Sequence, residues 1–254
     1  MTIHEYGEDN KQVIVLVHPS LVMWDYFEYV IPLLQRKYRL IIPALPGYDK
    51  ESPGHFTSVE RIASELADAL VSRGIDELAC MYGCSMGGSI VTRFLADNRV
   101  KVCSAVIDGG ITPYQLPYIL TRCIALRDFL MIYIGKAGGL KLLEKMFNTD
   151  EYSAEDLKYA ADVLQFMSAK TVWRTFDSSN NYRMPDPVVT DCRYIEYWYA
   201  SAEKKARQWD MDWLRKHISK TRFKEFADTG HGGLAVKQPA LFVSEIERVI
   251  QSGR

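Results

Sequence analysis

The sequence predicts an α/β protein: a mostly parallel central sheet flanked by helices, with a helical cap inserted before the last two strands. Three observations carry this. Short continuous runs of β-branched and aliphatic residues have the pattern of strands buried on both faces. Segments of helical periodicity separate these runs, and parallel strands need such long crossovers. The alternation then stops after Gly110 for about 80 residues, too long for a structureless loop in a compact domain.

The elements follow in order. Residues 1–11 are polar and partly acidic, without the basic flank and apolar stretch of a secretory signal, and read as a mobile start that holds His4. Val13–Val17 is the first buried strand and ends at His18-Pro19. Residues 38–45 form the second, stopped by Pro46-Gly47. Thr57 with Glu60 makes a capping-box signature, after which Val59, Ile62, Leu66 and Leu70 recur at helical spacing up to Gly74. Residues 78–84 and 102–107 are two further strands, with a helix at Met86–Asp97 between them. Residues 112–191 then carry only helical patterns, notably 116–134 and 154–176, and Pro185-Asp186-Pro187 marks the exit. Strands resume at 193–199 and 222–227 around a helix at 203–217, and a helix at 239–251 closes the chain. This divides the protein into a core, 1–111 with 192–254, and a cap, 112–191.

Composition excludes several classes. The chain has 254 residues, 48% hydrophobic and 25% charged, which suits one ordinary folded core. Lys and Arg number 31 against 32 Asp and Glu, so no global charge excess would hold a nucleic acid or an anionic membrane surface. No run reaches the roughly 18 apolar residues of a membrane span. Five cysteines without CxxC spacing suggest neither a zinc ribbon nor a disulfide framework, and point to a reducing cytoplasm. No metal-ligand cluster or phosphate loop stands out, so no metal and no cofactor is expected, and the expected partner is a small molecule.

The chemistry concentrates at Gly83-Cys84-Ser85-Met86-Gly87, a G-x-S-x-G sequence placed where a strand ends and a helix begins. Such a turn needs small residues beside the serine if its Oγ is to project above the sheet. The competing reading is a glycine-rich turn in which Ser85 caps the helix. A serine hydroxyl attacks only when a base takes its proton. Of five histidines, His231 lies after the last strand, within Asp228-Thr229-Gly230-His231-Gly232-Gly233, where glycines let an imidazole approach a strand end; a solvated loop histidine is the alternative.

With these parts in this order, the chain resembles the α/β-hydrolase superfamily over nearly its whole length. Val15-Leu16-Val17-His18-Pro19-Ser20 is similar to the family's first buried strand and oxyanion turn, and Pro43-Ala44-Leu45-Pro46-Gly47-Tyr48 to its following strand end. The resemblance implies attack by Ser85 on an acyl carbon, with His231 as base and then acid, and an oxyanion held by the N–H groups of Met86 and Ser20. His18 is then a structural residue of the turn, and Cys84 a packed small side chain. One departure is Pro19, which stands where the family usually has Gly and has no N–H. The acid that orients His231 is Glu203, a few residues past strand 193–199, or else Asp108 at the end of strand 102–107. As a competing role, Glu203 opens the helix that follows, in which Asp210 and Asp212 lie too deep to serve. Serine at position 85 disfavours the dehalogenase and epoxide hydrolase reactions, whose family members use Asp there.

The implied activity is hydrolysis of a carboxylic ester or related acyl compound through acyl-Ser85. Acyl transfer on the same residues, or a non-catalytic small-molecule receptor, remain open. Aromatic and Met residues of the cap, among them Tyr114, Phe129, Met146, Phe147 and Trp173, together with Trp24 and Tyr26, are candidates to line a pocket for small or medium apolar acyl groups.

Overall fold

A computed structural model describes residues 1–50, 54–114, 116–146 and 153–254; Phe147 and the Met146 side chain lie outside the described set. The strands are β1 (Thr2–Tyr6), β2 (Val13–Val17), β3 (Arg39–Ala44), β4 (Glu77–Cys84), β5 (Lys101–Asp108), β6 (Tyr194–Ala200) and β7 (Arg222–Phe226). They form one sheet in the order β1-β3-β2-β4-β5-β6-β7, parallel throughout except for β1, which runs antiparallel to β3. The helices before the insertion are α1 (Ile31–Leu34), α2 (Val59–Val71) and α3 (Met86–Asp97). Those of the insertion are α4 (Tyr118–Met146), α5 (Ala154–Phe166) and α6 (Ala169–Asn181), and they form the helical cap between β5 and β6. After it come α7 (Gln208–His217), α8 (Leu234–Lys237) and α9 (Pro239–Ser252).

The unbroken apolar run of β2 has a direct cause. Val13, Val15 and Val17 pack into a core with α2 and α3, whereas Ile14 and Leu16 pack into a second core with α1 and α9. A strand covered on both faces has no polar side to alternate with. Because β4 to β7 are parallel, every loop that follows them opens at one edge of the sheet, and ligands of open α/β sheets bind at that edge.

Four local expectations are corrected. The start is not a mobile tail: β1 pairs with β3 from Thr2 opposite Ala44 to Tyr6 opposite Leu40, and His4 stacks on Trp24 at 3.8 Å. A half-exposed edge strand needs no apolar run, so composition hid it. The cap of α2 is Ser58, whose Oγ accepts from Arg61 N at 3.2 Å; Glu60 accepts from Arg183 N instead of closing a box with Thr57. The 154–176 helix is two, split at Met167-Ser168, where Ser168 Oγ accepts from Thr171 N and starts α6. The helix after β6 does not begin at 203: a 3₁₀ turn, Ser201–Glu203, comes first, so Asp210 lies in the first turn of α7.

Candidate active site

Ser85 sits between β4 and α3 with φ 53° and ψ −116°. Positive φ is costly for a residue with a side chain and persists only where the surroundings enforce it. Here the neighbours leave no room to relax. A Cβ on Gly83 would lie 2.3 Å from the Gly87 carbonyl oxygen, and one on Gly87 would lie 2.3 Å from that of Val17. Both glycines of the motif are therefore points of backbone contact. Ser85 N–H donates to the Asp108 carbonyl at 2.8 Å, fastening the turn to β5. No side-chain cap bond from Ser85 to α3 is present, so the capping reading fails.

His231 follows β7 and rests on the backbone of Gly109, just past β5. A Cβ at Gly109, whose φ is +55°, would come within 2.7 Å of His231 Cε1 and 2.9 Å of Nδ1. The imidazole occupies the space that any other side chain would fill. Its Nδ1 donates to Glu203 Oε2 at 2.7 Å, which leaves Nε2 as the unprotonated nitrogen of the neutral ring.

Glu203 is held as an acceptor by several groups. Burial alone would raise its pKa, but the His231 hydrogen bond and charge, the Ala200 N–H at 3.0 Å and Arg207 at 3.9 Å outweigh it and hold the carboxyl below its usual range. Arg207 also donates to the Gly109 carbonyl at 3.3 Å and pairs with buried Asp210 at 3.2 Å, and Asp210 accepts from Thr112 N at 2.8 Å. The strip under His231 is thus tied to the acid that faces it. Asp108 has a different setting: it accepts from Tyr82 OH at 2.6 Å, and burial pushes its pKa up to about 6.

Ser85 and His231 line one cavity of about 430 Å³, within the range of small-molecule sites. Pro19, Ser20 and Leu21 form one wall, and Leu143 of α4 with Leu157, Tyr159 and Ala160 of α5 form another. Met86 N–H is at the first position of α3, where no intrahelical acceptor exists. The turn before Ser20 is braced by His18, whose Nδ1 donates to the Pro19 carbonyl at 2.8 Å; burial lowers its pKa to about 4, which keeps the ring neutral. Tyr26 lines the cavity and donates to the Gly232 carbonyl. Trp24, Tyr114 and Trp173 are not among the lining residues: Trp24 stacks on His4, Tyr114 meets Trp209, and Trp173 packs edge-on against Phe129 inside the cap. Cys84 is buried and its thiol pKa is pushed well up, so it is a packed group. Gly109, Arg207 and the α5 wall escaped the sequence reading; only the Gly109-Gly110 pair after a strand end signalled a close approach.

A strained serine at the edge of a parallel sheet thus shares one cavity with an acid-backed histidine under a helical cap, in an α/β fold. A sequence model described as the alpha/beta hydrolase family matches residues 14–245, and the chain belongs to that family and is a hydrolase. Among solved structures it is similar to an α/β-hydrolase family protein from Desulfitobacterium hafniense, with 21% identity, 98% of this chain and 100% of that one covered, and a TM-score of 0.78. It is also similar to a thermophilic esterase from Thermogutta terrifontis, 17% identical over 99% and 93% of the two chains at a TM-score of 0.75. An esterase from Exiguobacterium antarcticum is likewise 17% identical over 98% and 94%, with a TM-score of 0.75. At these identities the likeness establishes the fold. Among the described residues no helix is long and apolar enough to cross a membrane.

Proposed function

We propose that this hydrolase cleaves a carboxylic ester through a covalent acyl-Ser85 intermediate. The observation that carries the reading is the bond from His231 Nδ1 to Glu203, made by a histidine that lines the same cavity as Ser85. With Nδ1–H engaged, Nε2 is the nitrogen that takes the Ser85 proton as Oγ attacks the acyl carbon. The oxyanion is received by the N–H groups of Met86 and Ser20, the second unaffected by the missing N–H of Pro19. The carbonyl re-forms as the alcohol leaves with the proton from His231. Water, deprotonated by the same imidazole, then releases the acid. Residues 112–191 serve as the cap that supplies the far wall of the cavity. Esterases among the structural neighbours support the ester as substrate class. The unpaired thiols fit a reducing cytoplasm.

The test is labelling with a fluorophosphonate, read by intact mass, followed by a panel of acyl esters. One adduct is expected, absent from Ser85→Ala, with ester turnover reduced by several powers of ten in Ser85→Ala and His231→Ala alike. An unlabelled protein, or an adduct that persists in Ser85→Ala, would overturn the proposal. A labelled enzyme whose acyl group passes to an added alcohol faster than to water would make it an acyltransferase.

A further inference from the structure

Helix α4 is apolar on both sides. Ala125, Ile132 and Leu143 are buried against the rest of the protein, yet eight large apolar side chains between Tyr118 and Ile134 are 44–77% exposed. These eight are more than half of the exposed large hydrophobics among the described residues. A helix that is apolar all round is normally covered all round. The outward stripe also has a register. Ile119, Cys123, Leu126, Leu130, Tyr133 and Ala137 are spaced alternately by four and three residues, the a/d seam of paired helices, and all six are exposed.

We propose that this seam is the interface of a two-fold dimer, in which α4 packs antiparallel against α4 of a second copy. Two observations favour a second copy over other occupants. The large apolar side chains of the seam, Ile119, Leu126, Leu130 and Tyr133, with Ile134 beside them, leave on the order of 500 Å² per chain, about 1,000 Å² for the pair, the area a specific interface should clear. A lipid surface is disfavoured by charge: a helix lying on an anionic membrane carries a Lys- and Arg-rich polar face, whereas within the exposed segment 118–134 both arginines are paired, Arg122 with Asp177 and Arg127 with Asp128, and Lys136, Lys141 and Lys145 lie beyond it. An isologous pairing needs only a self-complementary face, and a neutral a/d seam is one. Leu143, which lines the cavity, lies past a break in α4 at Gly139 (φ +61°, ψ −160°), so the seam and the cavity wall belong to two helical pieces joined at that glycine.

Sedimentation velocity on the full chain tests this, with Leu126→Glu/Leu130→Glu and, separately, Ile119→Lys. Because all three positions are exposed, circular dichroism and the melting transition of a monomeric form should barely move. The wild type is expected at twice the 29.1 kDa chain mass at micromolar concentration, and both variants at 29.1 kDa with unchanged dichroism. A wild-type monomer overturns the proposal, and one that also pellets with phosphatidylglycerol vesicles assigns the stripe to lipid. A dimer that survives in both variants places the interface elsewhere. If the double variant misfolds, Ile119→Lys decides alone.

Discussion

Gly109→Ala should lower turnover about a hundredfold without altering any residue that meets the substrate. The new methyl group would stand 2.7 Å from His231 Cε1, 2.9 Å from Nδ1 and 3.3 Å from Glu203 Oε1. Ordinary contact begins near 3.4 Å, so the ring must retreat by about 0.7 Å, and a misplacement on the order of 1 Å costs roughly 10²-fold in rate. The imidazole can yield because its side chain is 36% exposed, so the protein stays folded. Alanine at φ +55° also costs about 1–2 kcal/mol of backbone strain, or a melting shift of roughly 2–8 °C. Gly74→Ala separates the two effects, since Gly74 has φ +69° and nothing within 4 Å of the added methyl. Both variants should melt lower by similar amounts, while only Gly109→Ala loses kcat and reacts slowly with fluorophosphonate. If Gly109→Ala keeps kcat within about twofold of Gly74→Ala, the position of His231 does not govern the rate and its role as base is refuted.

Glu203→Gln should cut kcat by about 10³ to 10⁴, because an amide no longer enforces the tautomer that frees Nε2, whereas Asp108→Asn should stay within about tenfold of wild type. Steady-state kinetics on the two variants checks this, and the opposite ranking would make Asp108 the orienting acid. Asp108 should instead appear in stability: its pKa is raised by burial from 3.8 to about 6, so the folded chain keeps a proton that the unfolded chain releases. Its contribution is complete below pH 4 and fades as pH rises through 6, on the order of 3 kcal/mol, and should vanish in Asp108→Asn. Urea midpoints at pH 4 and pH 7 measure it; parallel curves for the two proteins would count against the assignment. Finally, the cavity wall carries Asp25, Glu28, Glu155 and Asp156 against Lys237, so neutral acyl esters should exceed carboxylate-bearing ones in kcat/KM by tenfold or more. Equal values would mean that these carboxylates do not face the acyl group.

The sequence alone determined the features that repeat locally. Val13–Val17, the strands ending at Cys84 and Asp108 and the helices beginning at Val59 and Met86 follow from apolar periodicity, because a face that must be buried leaves its spacing in the chain. The serine turn was legible for the same reason: Gly83 and Gly87 are small because backbone touches backbone there. What no local pattern contained was pairing at a distance. The chain offered Glu203 as the orienting acid with Asp108 as its alternative, and only the stacking of β5, β6 and β7 put Glu203 against His231 and turned Asp108 toward Tyr82. The edge strand β1 stayed hidden because its partner, and not its composition, makes it a strand. The cavity wall fell to Leu143, Leu157 and Tyr159 instead of Tyr114 and Trp173 because an aromatic ring buries equally well inside the cap or over the site. Apolar spacing records that a residue is covered; the packing of distant segments decides what covers it.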